Sequence, residues 1–378
     1  MRVGLVAGEA SGDLLGAGLI RAIRARIPDA TFEGVAGPEM VAAGCEQWEE
    51  ADALAVFGLI EPLAHIPRLL KLRRSLAKRW RASPPDVFVG IDAPDFNFSL
   101  EKTLRRSGIR TVHYVSPSIW AWRPGRIKTV EQSADRVLCI LPFEKDIYEN
   151  RNVDAVFIGH PKADTLPADV DVAAVRQRLG IDRGPVVAIL PGSRRGEVSR
   201  LGPMFASAAA MLARDNDDLR FVTPVASEWL RPMIEAQLSV AGIADRFVLT
   251  DGNSIDAMSA ADVVLLASGT AALESALLGK PTVAAYKVSG LTAVILRLLR
   301  LLKTEKFTIP NLLTDKPLIP EFIQEAATPE ALAGAVAALL SDPGRCEAIS
   351  RRFVTLRSEL ALGADDCAAD AVISLSAN

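Results

Sequence analysis

Short runs of aliphatic and β-branched residues alternate along this chain with longer amphipathic stretches. Residues 2–7, 86–91, 111–115, 136–141 and 155–158 are apolar at nearly every position, the pattern of strands buried on both faces. Between them, apolar positions recur at helical spacing over 13–27, 62–81, 96–107 and 126–133. The alternation breaks at 159–171, GHPKADTLPADVD, where two prolines and several turn formers predict a linker. It then resumes, with strands expected at 185–190, 220–223, 247–249, 262–266 and 282–285. Helices are expected at 197–214, 227–241, 254–260 and 271–278. From Pro329 onward the pattern is almost wholly helical. Strands alternating with helices imply parallel sheets covered on both faces, so the expected fold is α/β, two Rossmann-like doubly wound domains. Such domains bind ligands at the carboxyl ends of their strands, and two of them joined by a hinge predict a cleft between those ends.

Composition narrows the function classes. The 378 residues hold 43 Lys+Arg against 46 Asp+Glu, a net charge of −3, which argues against an obligate nucleic-acid binder. Cys45, Cys139, Cys346 and Cys367 are scattered without a CxxC, and only His65, His113 and His160 accompany them. A zinc site and a disulfide framework are therefore not expected, and a reducing compartment is. The N-terminus reads as a first strand, since its apolar run is short and Gly8-Glu9 follows at once. Leu291 to Leu302, the most apolar long stretch, is interrupted by Arg297 and Arg300 and is too short to span a bilayer.

Candidate chemistry lies in the strand-to-helix turns. AGEASGD (7–13) has glycines for a tight turn, and Ser11 or Asp13 could cap the next helix, but its spacing is neither GxGxxG nor a P-loop. In GIDAPDFN (90–97), Asp95 reads as an N-cap. Asp92, a carboxylate ending a buried strand, is partly desolvated and suits a general base. HYVSPSIWAWR (113–123) puts two tryptophans and an arginine beside polar groups, either a ligand wall or interdomain packing, with His113 a core residue by default. LPGSRRGE (190–197) opens a helix whose N-terminal amides, helped by Arg194 or Arg195, can bind a phosphate. ASGTAALE (267–274) repeats the device, with Ser268, Gly269 and Thr270 as donors and Glu274 able to accept from ribose hydroxyls. Two such loops in one domain suggest a nucleoside diphosphate.

Two stretches point to a membrane surface. Residues 62–81 carry seven bases and no acid, interleaved with Leu69, Leu70, Leu72, Leu76 and Trp80, and 291–303 have a similar character. A basic amphipathic helix can lie on an anionic bilayer, although most such helices simply pack their leucines inward.

Taken together, AGEASGD, GVAGPEM (34–40), VFVGIDAPDFN (87–97), HYVSPSIWAWR, LPFEK (141–145), FIGHP (157–161), LPGSRRGEV, LASGTAALE and PNLL (310–313) resemble the lipid-A-disaccharide synthases over essentially the whole chain. The resemblance implies a two-domain GT-B glycosyltransferase. Its domains would be 1–165 for the lipid acceptor and 166–344 for the UDP-sugar, with 345–378 a helical tail returning to the first. It implies an inverting transfer that joins UDP-2,3-diacylglucosamine to 2,3-diacylglucosamine 1-phosphate (lipid X), giving a β-1′,6-linked disaccharide and UDP. Asp92 matches the family's general base. Arg194, Ser268, Gly269, Thr270 and Glu274 match its UDP-binding region, and Asn311 a polar position that contacts the donor. Glu9, Ser11, Ser116, Trp120 and Trp122 are candidates for the acceptor side. Residues 55–81, with Arg68, Leu69, Leu72, Arg73 and Leu76, are the candidate acyl-binding and membrane face. No metal or other cofactor is expected. The expected partners are acylated glucosamine substrates and the anionic cytoplasmic face of the inner membrane, met peripherally by a cytoplasmic protein. No nucleic acid is expected, and a homodimer is the assembly considered. Where the phosphate loop can read GSRG, this chain has Gly192-Ser-Arg-Arg-Gly196, leaving Arg194 and Arg195 both open with position favouring Arg194. The alternatives are a UDP-GlcNAc 2-epimerase, a MurG-like transferase, or a non-catalytic nucleotide- and lipid-binding protein. GIDAPDFN and the basic leucine-rich stretches argue against the two enzymes.

Overall fold

The computed structural model describes residues 1–54, 61–120, 124–181, 183–288 and 306–377. The chain divides into two compact units, Met1–Asp164 with Glu359–Asn378, and Thr165–Ser358.

In the first unit the elements run β1 (Arg2–Ala7), α1 (Ala10–Arg26), β2 (Thr31–Ala36), α2 (Pro38–Ala42), β3 (Cys45–Glu50), α3 (Glu61–Ala82), β4 (Val87–Ile91), α4 (Pro94–Arg105), β5 (Arg110–Tyr114), α5 (Ile127–Ser133), β6 (Arg136–Cys139), α6 (Glu144–Ile147), β7 (Asp154–Phe157) and α7 (Pro161–Thr165). The strands form one parallel sheet in the order β3-β2-β1-β4-β5-β6-β7. Strand order reverses between β1 and β4, the position where doubly wound sheets open a crevice. Strand alternation sends Val3, Leu5, Ala7, Val87, Val89 and Ile91 into one core with α1 and the helix Ala364–Ser376. It sends Val6 and Phe88 into a second core with Leu76, Trp80 and Leu100 of α3 and α4.

Two of these strands, β2 and β3, were not anticipated. β2 carries Glu33 in its interior, yet that side chain is largely buried, because Arg2 holds it at 2.7 and 3.0 Å and the Trp80 indole N–H donates to it at 3.0 Å. β3, CEQWEE, is an edge strand and therefore free of the apolar pattern.

The tail divides differently from the expected 345–378. Residues up to Ser358 stay with the second unit, where Ser350 Oγ donates to Gly279 O at 2.7 Å and Arg357 to Leu277 O at 3.3 Å. Only the stretch from Glu359 belongs to the first unit. There Asp164 accepts the Gly363 and Ala364 amides at 3.0 and 2.7 Å, and Arg26 bonds Asp366 and Asp370 at 2.7 and 2.5 Å.

The second unit continues with α8 (Val172–Arg178), β8 (Val186–Leu190), α9 (Arg195–Asp215), β9 (Arg220–Val225), α10 (Arg231–Val240), β10 (Phe247–Asp251), α11 (Ser254–Ala260), β11 (Val263–Ala267), α12 (Thr270–Leu277), β12 (Thr282–Tyr286) and β13 (Glu321–Ile323). Helices Ile309–Leu312, Pro329–Leu340 and Pro343–Leu360 complete the described part. Its parallel sheet has the order β10-β9-β8-β11-β12-β13, reversing between β8 and β11. β13, three residues long, was also unanticipated. Among the described residues no helix is long and apolar enough to cross a membrane, and the four cysteines are free.

Candidate anion cradle and general base

In the second unit the two strands flanking the order reversal, β8 and β11, each end in a short turn that starts a helix. β8 stops at Leu190, and the backbone passes Gly192 and Ser193 to Arg194, the extended N-cap of α9. β11 stops at Ala267, Ser268 N donates to Ala285 O at 2.8 Å, and Gly269 caps α12. Both helix starts border a pocket of about 530 Å³ lined by Ser193, Arg194, Glu197, Ser268, Gly269, Thr270 and Glu274. Aligned peptide dipoles leave partial positive charge at such starts, and their first amides have no intrahelical acceptor. The pocket is therefore suited to a phosphorylated ligand.

Of the two adjacent arginines, Arg194 lines this pocket and Arg195, the first residue of α9, does not. The lining groups not anticipated include Tyr286 at the end of β12, Asn253 and Ser254 at the start of α11, and Glu197. The strand-to-helix turn Asp251-Gly-Asn-Ser254 has the same form as the two loops that were recognised, and was the available signal for the second of these. Glu197 reaches back from the first turn of α9, its Oε2 accepting the Ser193 and Arg194 amides at 3.2 and 3.4 Å.

Asn311 has a different place from the one expected. It is buried, its amide donates to Ile319 O and Glu321 Oε1, both at 2.8 Å, and its Oδ1 accepts the Leu318 and Ile319 amides at 2.8 and 3.0 Å. With both ends of the amide committed to residues 318–321, it ties the helix Ile309–Leu312 to the start of β13 and is not among the residues lining the pocket.

In the first unit, β1 and β4 lie side by side with Ala7 opposite Ile91. Their outgoing turns touch, since a Cβ added to Gly8 would stand 2.9 Å from the Ala93 Cβ. This brings Glu9 and Ser11, both exposed, into the neighbourhood of the half-buried Asp92. The Asp92 amide donates to Tyr114 O at 2.8 Å. Asp95 is not the N-cap of α4. Pro94 starts the helix earlier, Ala93 takes the cap position, and the exposed Asp95 carboxylate pairs with Arg126. Neither Ser11 nor Asp13 caps α1, whose N-cap is Glu9. Asp13 is buried and instead accepts the Gly37, Glu39 and Met40 amides at 2.9, 2.9 and 3.0 Å, capping α2.

The tryptophan segment is only partly described. Ser116 is buried, and its hydroxyl is bonded to Tyr148 Oη at 2.8 Å, so it is committed to packing and not to a ligand wall. Trp120 is half-buried, edge-on to Phe143 with ring centroids 5.2 Å apart, and Trp122 lies outside the described residues. His113 is fully buried, with Nδ1 2.7 Å from Glu101 Oε1.

The proposed acyl face also changes. Leu76 is 4% exposed and Trp80 fully buried in the second core, with Leu69 and Leu72 packed against them. From Leu69 to Trp80 the apolar positions of α3 pack on the core of the first unit, while Ile66 is 42% exposed. Arg68, Arg74 and Lys78 are exposed, and Arg73 is half-buried. Residues 55–60, the side chains of 61–65, and 291–303 lie outside the described residues.

Two Rossmann-like parallel units of this kind define the GT-B class of glycosyltransferase folds. Solved structures agree in fold. UDP-GlcNAc 2-epimerase from Neisseria meningitidis bound to UDP-GlcNAc matches with a TM-score of 0.61 at 13% identity, covering 100% of this chain and 99% of that one. Anabaena HepE in complex with UDP gives 0.60 at 13% identity, with 100% of each chain covered. At this identity the likeness is one of fold alone.

Sequence comparison reaches further. The model of the family described as lipid-A-disaccharide synthetase matches residues 3–375. The lipid-A-disaccharide synthase of Alkalilimnicola ehrlichii is 48% identical over 377 residues, 99% of this chain and 98% of the relative. That of Xylella fastidiosa is 46% identical over 376 residues, with 99% and 98% covered. The chain belongs to the lipid-A-disaccharide synthase family.

Proposed function

We infer that this chain is the inverting glycosyltransferase that condenses UDP-2,3-diacylglucosamine with 2,3-diacylglucosamine 1-phosphate, releasing UDP and forming the β-1′,6-linked disaccharide. The observation that carries the reading is the family match across 3–375, which takes in both the Asp92 turn and the two helix starts of the second unit.

In this reading the acceptor's 6-hydroxyl gives its proton to Asp92 as its oxygen attacks the donor's anomeric carbon. The bond from that carbon to the diphosphate oxygen breaks on the opposite side, so one displacement turns the α-linked donor into a β-linked product. Negative charge then grows on the departing diphosphate. The amides at the starts of α9 and α12, the Ser268 and Thr270 hydroxyls and the Arg194 guanidinium would meet it, and Glu274 would accept from the ribose; that these residues line one pocket supports the reading. With these donors the leaving group needs no metal. The acylated substrates bring the protein to the cytoplasmic face of the inner membrane, peripherally, through the cations exposed on α3.

Assay with synthetic diacylated donor and acceptor, following UDP release, tests the reading. Asp92→Asn is expected to lower turnover at least about a hundredfold, the scale of general-base catalysis, with UDP affinity little changed. Equal turnover of water-soluble, unacylated acceptors would overturn the substrate assignment.

A further inference from the structure

The turn that carries Asp92 is one that its Asp-Ala sequence rarely adopts over two residues. It and Ala93 have φ of +49° and +42°, two consecutive left-handed residues, neither of them glycine. Such a turn persists only where the surroundings over-determine it. The group that does so is Asn97, fully buried on α4. Its Nδ2 lies 2.8 Å from Asp92 O, 3.3 Å from Ile91 O and 3.4 Å from Val6 O. One amide thus gathers the ends of β4 and β1, the two strands at which the sheet order reverses, and fixes the peptide from which the Asp92 carboxylate hangs.

Asn97 is backed by a polar row in an otherwise apolar layer. Glu101, one helical turn on, is fully buried against the backbone of Gly90, where an added Cβ would meet Glu101 Oε1 at 2.2 Å and Asn97 Cγ at 3.0 Å. Only glycine leaves room for these two side chains under the strand end. Glu101 Oε1 in turn lies 2.7 Å from Nδ1 of His113, which stands opposite Gly90 on β5. Burial pushes the Glu101 carboxyl upward and His113 opposes it. Asn97 Oδ1, Glu101 Oε2 and His113 Nε2 are buried with no protein partner. Apolar side chains would fill this space without that cost, so the row has a use other than stability.

We propose that Asn97, braced by Glu101 and His113, is a positioning residue that aims the Asp92 carboxylate by holding its backbone in the left-handed turn. The proposal rests on Asp92 being the general base.

A double-mutant cycle tests it, reading kcat, donor KM, UDP affinity by calorimetry and thermal stability for Asn97→Ala, Asp92→Asn and the pair. Asn97→Ala should lower kcat at least about tenfold with UDP affinity within about twofold, and should add nothing to the loss already caused by Asp92→Asn, since residues acting as one unit are not additive. A variant that loses stability but keeps kcat per folded molecule within about twofold would overturn the proposal, and so would a full additional loss on top of Asp92→Asn. Undiminished turnover of Asp92→Asn itself would instead withdraw the base, a separate failure. If Asn97→Ala does not fold, Asn97→Ser removes the reach of the amide at a smaller loss of volume and is read the same way. Failure of both to fold assigns Asn97 to stability and ends the proposal.

Discussion

The Glu197 carboxylate sits on the Ser193 amide, Oε2 accepting that N–H at 3.2 Å, at the start of the helix where a phosphoryl oxygen of the nucleotide would bind. Arg194 Nη1 lies 3.9 Å from the other carboxylate oxygen. The cradle therefore already holds a negative group, and a diphosphate bound there has to displace it or sit beside it. Two unit charges about 4 Å apart in water repel by about 1 kcal/mol. Glu197→Gln keeps an acceptor for the two amides and removes the charge, so UDP should bind about fivefold more tightly at low salt. Calorimetric titration checks this, and weaker binding would show that the carboxylate serves the ligand.

The two arginines that sequence left open are separable in the same titration. Arg194 borders the pocket and Arg195 is not among its lining residues. A charge-assisted hydrogen bond contributes about 1.5–3 kcal/mol, and the Arg194 side chain is 70% exposed, so the low end applies. Arg194→Ala should weaken UDP binding about tenfold, and Arg195→Ala by no more than about twofold. Equal losses from both would mean that long-range charge, not position, decides.

Much of this was legible in the sequence because parallel strands buried on both faces announce themselves as apolar runs, and because both cradle loops follow such runs directly. What was not legible is long-range. Glu33 sits in a strand because Arg2 and Trp80 meet it there, and no local pattern says so. Asp13 reads as a cap for its own helix, but its carboxylate serves the start of α2, more than twenty residues on. Asn311 lies in a motif shared with a donor-binding family, yet the four hydrogen bonds of its side chain all go to residues 318–321. In each case the residue type was informative and the partner was not, since the partner is set by tertiary packing.

The same distinction governs α3, whose leucines and cations have separate destinations. Leu76→Ala should cost about 2–5 kcal/mol of stability, the usual range for emptying a buried leucine site, and leave vesicle binding of the folded protein unchanged. Reversing the exposed Arg68, Arg74 and Lys78 to Glu should do the opposite. At about 1 kcal/mol per basic residue near an anionic surface, partitioning onto anionic phospholipid vesicles should fall at least about tenfold with little change in melting temperature. Unchanged partitioning would leave α3 as an ordinary solvated helix.

Glu144 gives a pH dependence whose sign is fixed by burial. The residue is 2% exposed, and burial pushes its carboxyl up from the ordinary 4.5 to about 7, a shift partly opposed by the Leu141 amide, which donates to Oε2 at 3.1 Å. Below pH 4.5 the side chain is protonated in both folded and unfolded chains, and it costs nothing. Between 4.5 and 7 the unfolded chain releases a proton that the folded one keeps, so stability falls as pH rises. Above 7 the full penalty is present, about 3 kcal/mol from the gap between the two values. Glu144→Gln retains an acceptor for Leu141 and cannot ionise. Its stability relative to the parent should therefore improve by about 3 kcal/mol between pH 4.5 and pH 8, measured by denaturant unfolding at both. A difference that does not change with pH would mean that the carboxylate is stabilised in place and that its burial is offset by groups other than Leu141.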